Sequence, residues 1–335
     1  MKRHYYIIKG IVLLAAMLLA ACSSSDSDDS PAATSQNEIH LTTNVTSMPS
    51  GTRATTIDNT SALRSYNLKI DAYYSATTNE NYLSGAKLHY DSSEPAGWKF
   101  WASDAQAHYY WPIDGSTIAG GSTVASTLDF VGYCPYEKPA YIGDPTYNHS
   151  TGVSFTCDMS SYMTLASQSS MQEFLVSVLP NQTLATQNAA AGGALPMVFK
   201  HPLALIKFVI TEASGTHVKI NSVSIADLKT SGKCTYNGTE MTWSEQGGST
   251  AMTIAQELKR GGTTETTPFV VIPYNYDNGS KTLTVNATWD DWSNVTVDVT
   301  ANVDFNWEPG KIYTYNLTLA KYILIVDTQK YTEQW

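Results

Sequence analysis

The chain has 335 residues and a net charge of −10, and only 15% of its residues are charged whereas 42% are apolar. An acidic chain without a basic stripe excludes duplex nucleic acid as a partner, because the phosphates would repel it. The low charge and abundant aromatic residues exclude a long disordered chain, and the mixture of β-branched and aromatic residues favours strands over helices.

Residues 1–21 predict a signal peptide. A basic start is followed by an uninterrupted apolar run over residues 11–20, which is too short for a membrane-spanning helix of about 20 residues. The segment ends Leu19-Ala20-Ala21-Cys22 and resembles a bacterial lipobox, in which small residues precede a cysteine that is acylated and becomes the mature N-terminus. Cys22 is therefore the predicted lipidation site that anchors the chain in outer-membrane lipid. An ordinary signal peptide with a chance cysteine is the alternative.

An acidic tether is predicted for residues 22–37. Residues 23–30 are all serine or aspartate, and such a run stays solvated because it cannot bury apolar surface. An acidic run directly after a lipidated cysteine also resembles the surface-export signal of Bacteroidia lipoproteins, whereas a plain linker is the alternative. The predicted location is the outer membrane, with the chain exposed at the cell surface.

A half-buried strand and an exposed loop are predicted at the start of the body. Ile39, Leu41 and Val45 share one face of an alternating segment, which is typical of a strand with one buried side. Proline, glycine and serine then precede Arg53, and these residues predict an accessible loop over residues 48–56.

Strands are predicted along the rest of the chain, with one helix over residues 162–174. The small, uncharged residues 188–196 predict the boundary between a domain over residues 38–190 and a second domain over residues 191–320. Short apolar or alternating runs between turn-rich stretches predict a β-sandwich or a barrel. The predicted strands lie at residues 66–74, 128–133, 174–179, 203–210, 218–225, 269–272, 283–288, 295–303 and 312–319.

Three cysteines remain beyond Cys22, at Cys134, Cys157 and Cys234. An odd number leaves at least one free thiol or an intermolecular bond. A disulfide between Cys134 and Cys157 and three buried thiols stay open as alternatives.

The sequence contains no catalytic, cofactor or metal-binding motif, which predicts a protein that is not an enzyme and uses no cofactor. No two of the seven histidines stand at helical i, i+4 spacing, and no nucleotide-binding, zinc or nucleophile motif occurs. Two aromatic groups, residues 98–101 and 109–112, are compatible with a sugar-stacking platform. The alternative is a structural role, because aromatic side chains also fill sandwich cores.

Six segments along most of the chain carry a family resemblance. They are the lipobox ending at Cys22, then Ser50–Thr55, Tyr110–Pro112 followed by Leu128–Tyr136, Phe199–Phe208, Phe269–Pro273 and Trp307–Leu317. Their order and spacing are similar to those of the fimbrillin family, the type V pilins of Bacteroidia.

The resemblance implies an all-β fold, with two transthyretin-like Greek-key β-sandwich domains in tandem, in a pilus subunit exported as a lipoprotein. A maturation protease would cut between Arg53 and Ala54 and so release a displaced strand that carries Ile39, Leu41 and Val45. A donor strand from the next subunit would fill the vacated groove. The implied donor strand lies in the extension over residues 321–335 and includes Tyr322, Ile323, Leu324, Ile325, Val326 and Trp335.

The resulting prediction is a structural subunit, a shaft pilin, of a cell-surface fimbria that mediates adhesion or attachment. Its predicted partners are other pilin subunits, in a homopolymer or a mixed fimbria, and a host or glycan ligand. A tip or adaptor pilin and a cell-surface glycan-binding lipoprotein are the alternatives. Two local alternatives also stay open: Arg53 as an uncut loop residue, and residues 322–326 as the last strand of the chain's own sandwich.

Overall fold

Alternating and apolar segments form strands throughout the body of the chain. The computed structural model describes residues 37–45, 57, 59–75, 80–93, 97–103, 105–113, 127–213, 218–258, 262–276, 281–289, 295–327 and 331–334. The predicted signal peptide, the tether as far as residue 36, the lipidation site Cys22, the bond between Arg53 and Ala54, and Trp335 lie outside the described residues.

Twenty-two strands lie in the described residues. They are β1 (Leu41–Val45), β2 (Leu68–Tyr74), β3 (Asn81–Asp91), β4 (Gly97–Ala102), β5 (Ala105–Gln106), β6 (Leu128–Cys134), β7 (Thr146–Asn148), β8 (Gly152–Asp158), β9 (Leu175–Gln182), β10 (Leu195–Phe199), β11 (Ala204–Glu212), β12 (Val218–Leu228), β13 (Ser231–Tyr236), β14 (Met241–Gly247), β15 (Thr250–Leu258), β16 (Thr263–Glu265), β17 (Phe269–Val271), β18 (Lys281–Trp289), β19 (Thr296–Val303), β20 (Lys311–Ala320), β21 (Ile323–Val326) and β22 (Tyr331–Gln334). The prediction of an all-β fold is confirmed.

Helices are few and short in the described residues. They are α1 (Thr60–Leu63), α2 (Leu165–Gln168) and α3 (Leu184–Ala189), with 3-10 turns at Ser160–Tyr162 and Ala191–Gly193. The prediction of one helix over residues 162–174 is wrong for most of that range, because only α2 is α-helical there. Met171 and Phe174 are buried, but they lie in a segment that is neither helix nor strand. Their spacing in the sequence resembles that of the buried face of a helix, although no helix forms there.

The strands form five sheets among the described residues. β1 and β10 make a two-stranded sheet, and a six-stranded sheet has the order β5-β4-β3-β2-β6-β9. Two four-stranded sheets have the orders β14-β13-β8-β7 and β15-β12-β18-β19. The last sheet has the order β16-β11-β20-β21, with β17 also pairing with β11 and β22 also pairing with β20.

Two hydrophobic cores hold the sheets together. The first core lies where β1 and β10 pack with residues of β2, β3, β4 and β6, and its buried side chains include Ile39, Leu41, Val45, Ile57, Leu68, Ile70, Leu88, Phe100, Phe130, Leu195, Met197 and Phe199. The second core holds buried side chains of β8, β11, β12, β13, β15, β17, β18 and β20. β6 is buried along its whole length because Phe130 and Cys134 belong to the first core while Val131 and Tyr133 belong to the second.

The division into domains at residues 190 and 191, and the number of Greek-key sandwiches, stay predictions. β10 lies beyond the predicted boundary and packs in the first core.

The three described cysteines, Cys134, Cys157 and Cys234, are buried and unpaired. Of the two alternatives that the sequence left open, the structure therefore has the buried thiols. Burial is the largest cause that raises the pKa of each thiol.

A glycine in β6 makes room for β10. A Cβ atom on Gly132 would lie 2.8 Å from Cζ of Phe199 and 2.9 Å from Cε of Met197. We expect Gly132→Ala to lower the free energy of unfolding by about 1–3 kcal/mol, because both side chains are fully buried and cannot move aside freely. Chemical denaturation measures the effect. Gly97→Ala is the matched control, since a Cβ atom there meets nothing within 4 Å, and equal effects of the two changes would contradict the prediction.

Candidate strand-exchange site

β1 buries the side chains of one face in the first core and pairs along one edge with β10. It runs parallel to β10, with Leu41 opposite Leu195 and Val45 opposite Phe199. The side chains of Leu41, Thr43 and Val45 are buried, as the alternation of a strand requires. Of the predicted displaced strand, the structure therefore places Leu41 and Val45 in β1 and Ile39 in the same core directly before it.

The segment that leads into β1 is clamped by Gln187 of α3. Its Oε1 accepts hydrogen bonds from the backbone N–H of His40 at 3.0 Å and from Nε1 of Trp111 at 3.1 Å, and its Nε2 donates to the carbonyl of Glu38 at 2.7 Å. The backbone N–H of Ile39 also donates to the carbonyl of Tyr109 at 2.7 Å. Release of β1 would therefore have to break side-chain and backbone bonds as well as the pairing with β10.

The chain is anchored again on the far side of the predicted cleavage loop. Ile57 is buried in the first core, and its backbone N–H donates to Oε2 of the buried Glu173 at 2.9 Å. The bond between Arg53 and Ala54 lies between Val45 and Ile57, outside the described residues. A cut at that bond would leave β1 joined to the leading segment and Ile57 joined to the body.

A buried histidine lies beside this anchor. Nδ1 of His201 is 3.9 Å from Oε2 of Glu173, and both side chains are inaccessible to solvent. Burial lowers the pKa of His201 from its ordinary value of 6.5 to about 3, because the interior disfavours the charged imidazole. The imidazole is therefore neutral at pH 7.

An open cavity of about 730 Å³ runs beside β1. Residues 38–44 line it on the strand's side, and the remaining lining includes Arg64, Leu88, Tyr90, Trp98, Lys99 and Phe100. The guanidinium of Arg64 lies 4.5 Å from the ring centre of Tyr90, whose ring is 5.5 Å from that of Trp98.

The aromatic residues in the segments 98–101 and 109–112 differ in burial. Phe100 and Trp111 are buried in the first core, whereas Tyr110 is exposed. Phe100 and Trp111 therefore fill the core, which was the alternative to a sugar-stacking platform. A sugar-stacking role for the exposed aromatic residues stays a prediction.

The C-terminal strand lies on the chain's own second core. β21 pairs antiparallel with β20, and Leu324 is buried while Ile323 and Ile325 on the other face are exposed. β22 pairs with the first half of the same strand, β20. The structure does not bring Tyr322–Val326 together with β1 within one chain, and the donor role of this segment stays a prediction.

The turn into β21 has an unusual backbone. Tyr322 has a φ of +62°, a left-handed conformation that is strained for a bulky side chain. Its ring packs on Trp289 with ring centres 5.2 Å apart.

Two kinds of feature are absent from the described residues. No helix there is both long and apolar enough to cross a membrane, and no group of three potential metal ligands occurs there.

The sequence over residues 52–335 matches the family described as fimbrillin-like. The chain belongs to the fimbrillin-like family. Solved structures that share its fold include a proposed cell adhesion protein from Bacteroides uniformis (18% identity, TM-score 0.51) and a fimbrial protein from Bacteroides vulgatus (15% identity, TM-score 0.54). Each alignment covers 89% of this chain and 99% of the other. No curated protein matches the chain.

Membership in the family confirms the resemblance that the sequence motifs carry. The family consists of structural pilins rather than enzymes. Membership therefore supports a fimbrial subunit that assembles with other fimbrial subunits at the cell surface.

The low pKa of His201 predicts a loss of stability in acid. Between pH 6.5 and about 3 the unfolded chain binds a proton at this histidine and the folded chain does not. The contribution of the neutral His201 to the free energy of unfolding is therefore fully present above pH 6.5. It falls as the pH decreases, by up to about 1.4 kcal/mol per pH unit. We expect His201→Gln to flatten this slope, measured as the free energy of unfolding at pH 7, 6, 5 and 4. Identical slopes for the two proteins would show that His201 does not control the acid sensitivity.

Proposed function

We propose that this fimbrillin-like chain is a shaft subunit, exported as an outer-membrane lipoprotein, cut between Arg53 and Ala54, and joined to the next subunit by donor-strand exchange. The observation that carries the proposal is the exposed face of β21, where Ile323 is 58% and Ile325 is 54% exposed. An apolar strand at the edge of a sheet normally attracts another chain unless charges protect it, and β21 contains no charged residue.

The present position of β21 is a weak one. It pairs with β20 alone among the described strands, and of its four side chains only Leu324 is buried. The left-handed Tyr322 at its start costs about 1–3 kcal/mol. Leaving the second core would release this strain, which supports a strand that can extend to a neighbour.

The site of β1 provides the receiving end. Loss of the strand would empty the positions of Ile39, Leu41 and Val45, each worth about 1.5–3 kcal/mol when filled. It would also uncover the edge of β10, because the hydrogen-bonding groups of that edge now pair with β1. An apolar groove beside an unpaired edge binds an extended strand through backbone hydrogen bonds and alternate side chains.

Donor and receiver lie at different places on the chain. One subunit therefore binds the next head to tail, and a contact of this kind builds an open filament rather than a closed ring. The acylated Cys22 would hold the precursor in outer-membrane lipid until cleavage, because it belongs to the segment that leaves with β1.

Cleavage is the first test. An arginine-specific protease should cut after Arg53, and subunits in surface fibres should begin at Ala54. Arg53→Ala should stay lipidated and monomeric, with a melting temperature no lower than that of the wild type, because β1 still fills its site. N-terminal sequencing of fibres identifies the first residue of the subunits, and the intact mass of the variant shows whether it is lipidated and uncut. Fibres whose subunits all begin at Cys22 would contradict the proposal, and a wild-type chain that stays lipidated and monomeric would favour the glycan-binding alternative.

Removal of residues 322–335 is the second test. The truncated chain should lose about 1.5–3 kcal/mol of stability with Leu324 and keep its strands other than β21 and β22, which circular dichroism can check. Once cut after Arg53 it should accept a strand but not donate one. We therefore expect no fibres from the truncated chain alone, and shorter fibres when small amounts are mixed with the intact chain, as measured by electron microscopy. Normal fibres from the truncated chain alone would refute the donor role.

A further inference from the structure

The buried face of β1 carries one polar side chain. Thr43 is 2% exposed and lies between Leu41 and Val45 on that face. Its Oγ1 is buried and has no hydrogen-bond partner. Such a hydroxyl destabilises the contact that buries it, because its hydrogen bonds to water are lost and not replaced.

We infer that Thr43 makes β1 a weak filler of its own site, and that the C-terminal segment of a second copy fits this site better, entering with Tyr322, Leu324 and Val326 toward the first core. The inference rests on the strand exchange proposed above. It adds the inward face of the incoming strand and the reason why β1 gives way.

Charges in the C-terminal segment decide which face enters. The site has four inward positions at a spacing of two, those of Ile39, Leu41, Thr43 and Val45. Any four alternate residues that include Ile323 and Ile325 also include Lys321 or Asp327. Either charge would be buried in an apolar core, which is strongly unfavourable. The set that starts at Tyr322 carries no charge, since its fourth member, residue 328, is a threonine.

The fit at the position of Thr43 does not depend on the direction of the incoming strand. With Tyr322 at an outer position, the two middle positions receive Leu324 and Val326 whether the strand runs parallel or antiparallel to β10. An aliphatic side chain therefore replaces the unpartnered hydroxyl in both cases. The exchange therefore moves the threonine hydroxyl of the inward face from the middle of the site to one end of it, where residue 328 takes the position of Ile39 or Val45.

Replacing the hydroxyl tests the mismatch. In the full chain, Thr43→Val should raise the melting temperature by roughly 2 °C. After the cut at Arg53, the N-terminal piece should dissociate about tenfold more slowly, the change expected for one unsatisfied buried hydroxyl. Thr42→Val is the matched control, because this neighbour lies on the other face of β1 and is half-buried, and it should leave both values as in the wild type.

The outcomes separate the inference from the proposed function. A wild-type chain that is cut and forms fibres, with Thr43→Val showing no change in melting or release, overturns the inference and leaves the proposed function intact. A wild-type chain that never forms fibres overturns the exchange, while a higher melting temperature for Thr43→Val still establishes the mismatch.

A disulfide crosslink tests the face. Pro196 is exposed on β10 and lies opposite Thr42, the position that Ile325 takes in either direction of the incoming strand, so the two side chains would lie beside each other. We expect Ile325→Cys to crosslink between subunits with Pro196→Cys after cleavage, and Val326→Cys not to do so. The native thiols of the body are buried and do not compete. Crosslinking by Val326→Cys in place of Ile325→Cys would reverse the face and overturn this assignment.

Discussion

The parallel pairing of β1 with β10 is the contact on which the first core depends. β10 presents Leu195, Met197 and Phe199 to that core, and β1 places its own buried side chains beside them on the same face of the two-stranded sheet. Backbone groups on the shared edge are satisfied by this pairing, since unpaired groups at a buried edge are costly. Whatever occupies this site must therefore be an extended strand, because only a strand satisfies the edge and fills alternate positions together.

The two cores confine any change at this site. β6 separates them and is buried on both faces, so an exchange of β1 in the first core would leave the far side of β6 packed. The hydrogen bond from the backbone N–H of Ile57 to Glu173 also confines such a change. It fixes the body directly after the loop that carries Arg53, so that cleavage there would separate β1 without loosening α1 and β2, which follow Ile57.

Local alternation in the sequence predicted many of the strands, but it could not predict which distant strands pair. The predicted strand at Leu41 and Val45 is present because period-two burial is a local signal. β13, rich in polar residues, gave no such signal although Cys234 and Tyr236 on it are buried. The pairing of β1 with β10 joins segments about 150 residues apart, a separation that no local pattern encodes. Gln187 carries no motif either, and its clamp on His40 appears only when α3 is packed.

Cleavage has a thermodynamic role that follows from how β1 is attached. An uncut β1 is part of the chain and returns to its site as an intramolecular segment, with a high effective concentration. A competing strand from solution must exceed that advantage, even where β1 carries the mismatched Thr43. Cutting the loop removes the advantage without changing any contact of β1, so the comparison between the two strands then depends on their fit alone. Under the proposed cleavage the polar mismatch would be tolerated while the precursor is intact and would become decisive after the cut, which would make proteolysis, rather than folding, the step that starts assembly.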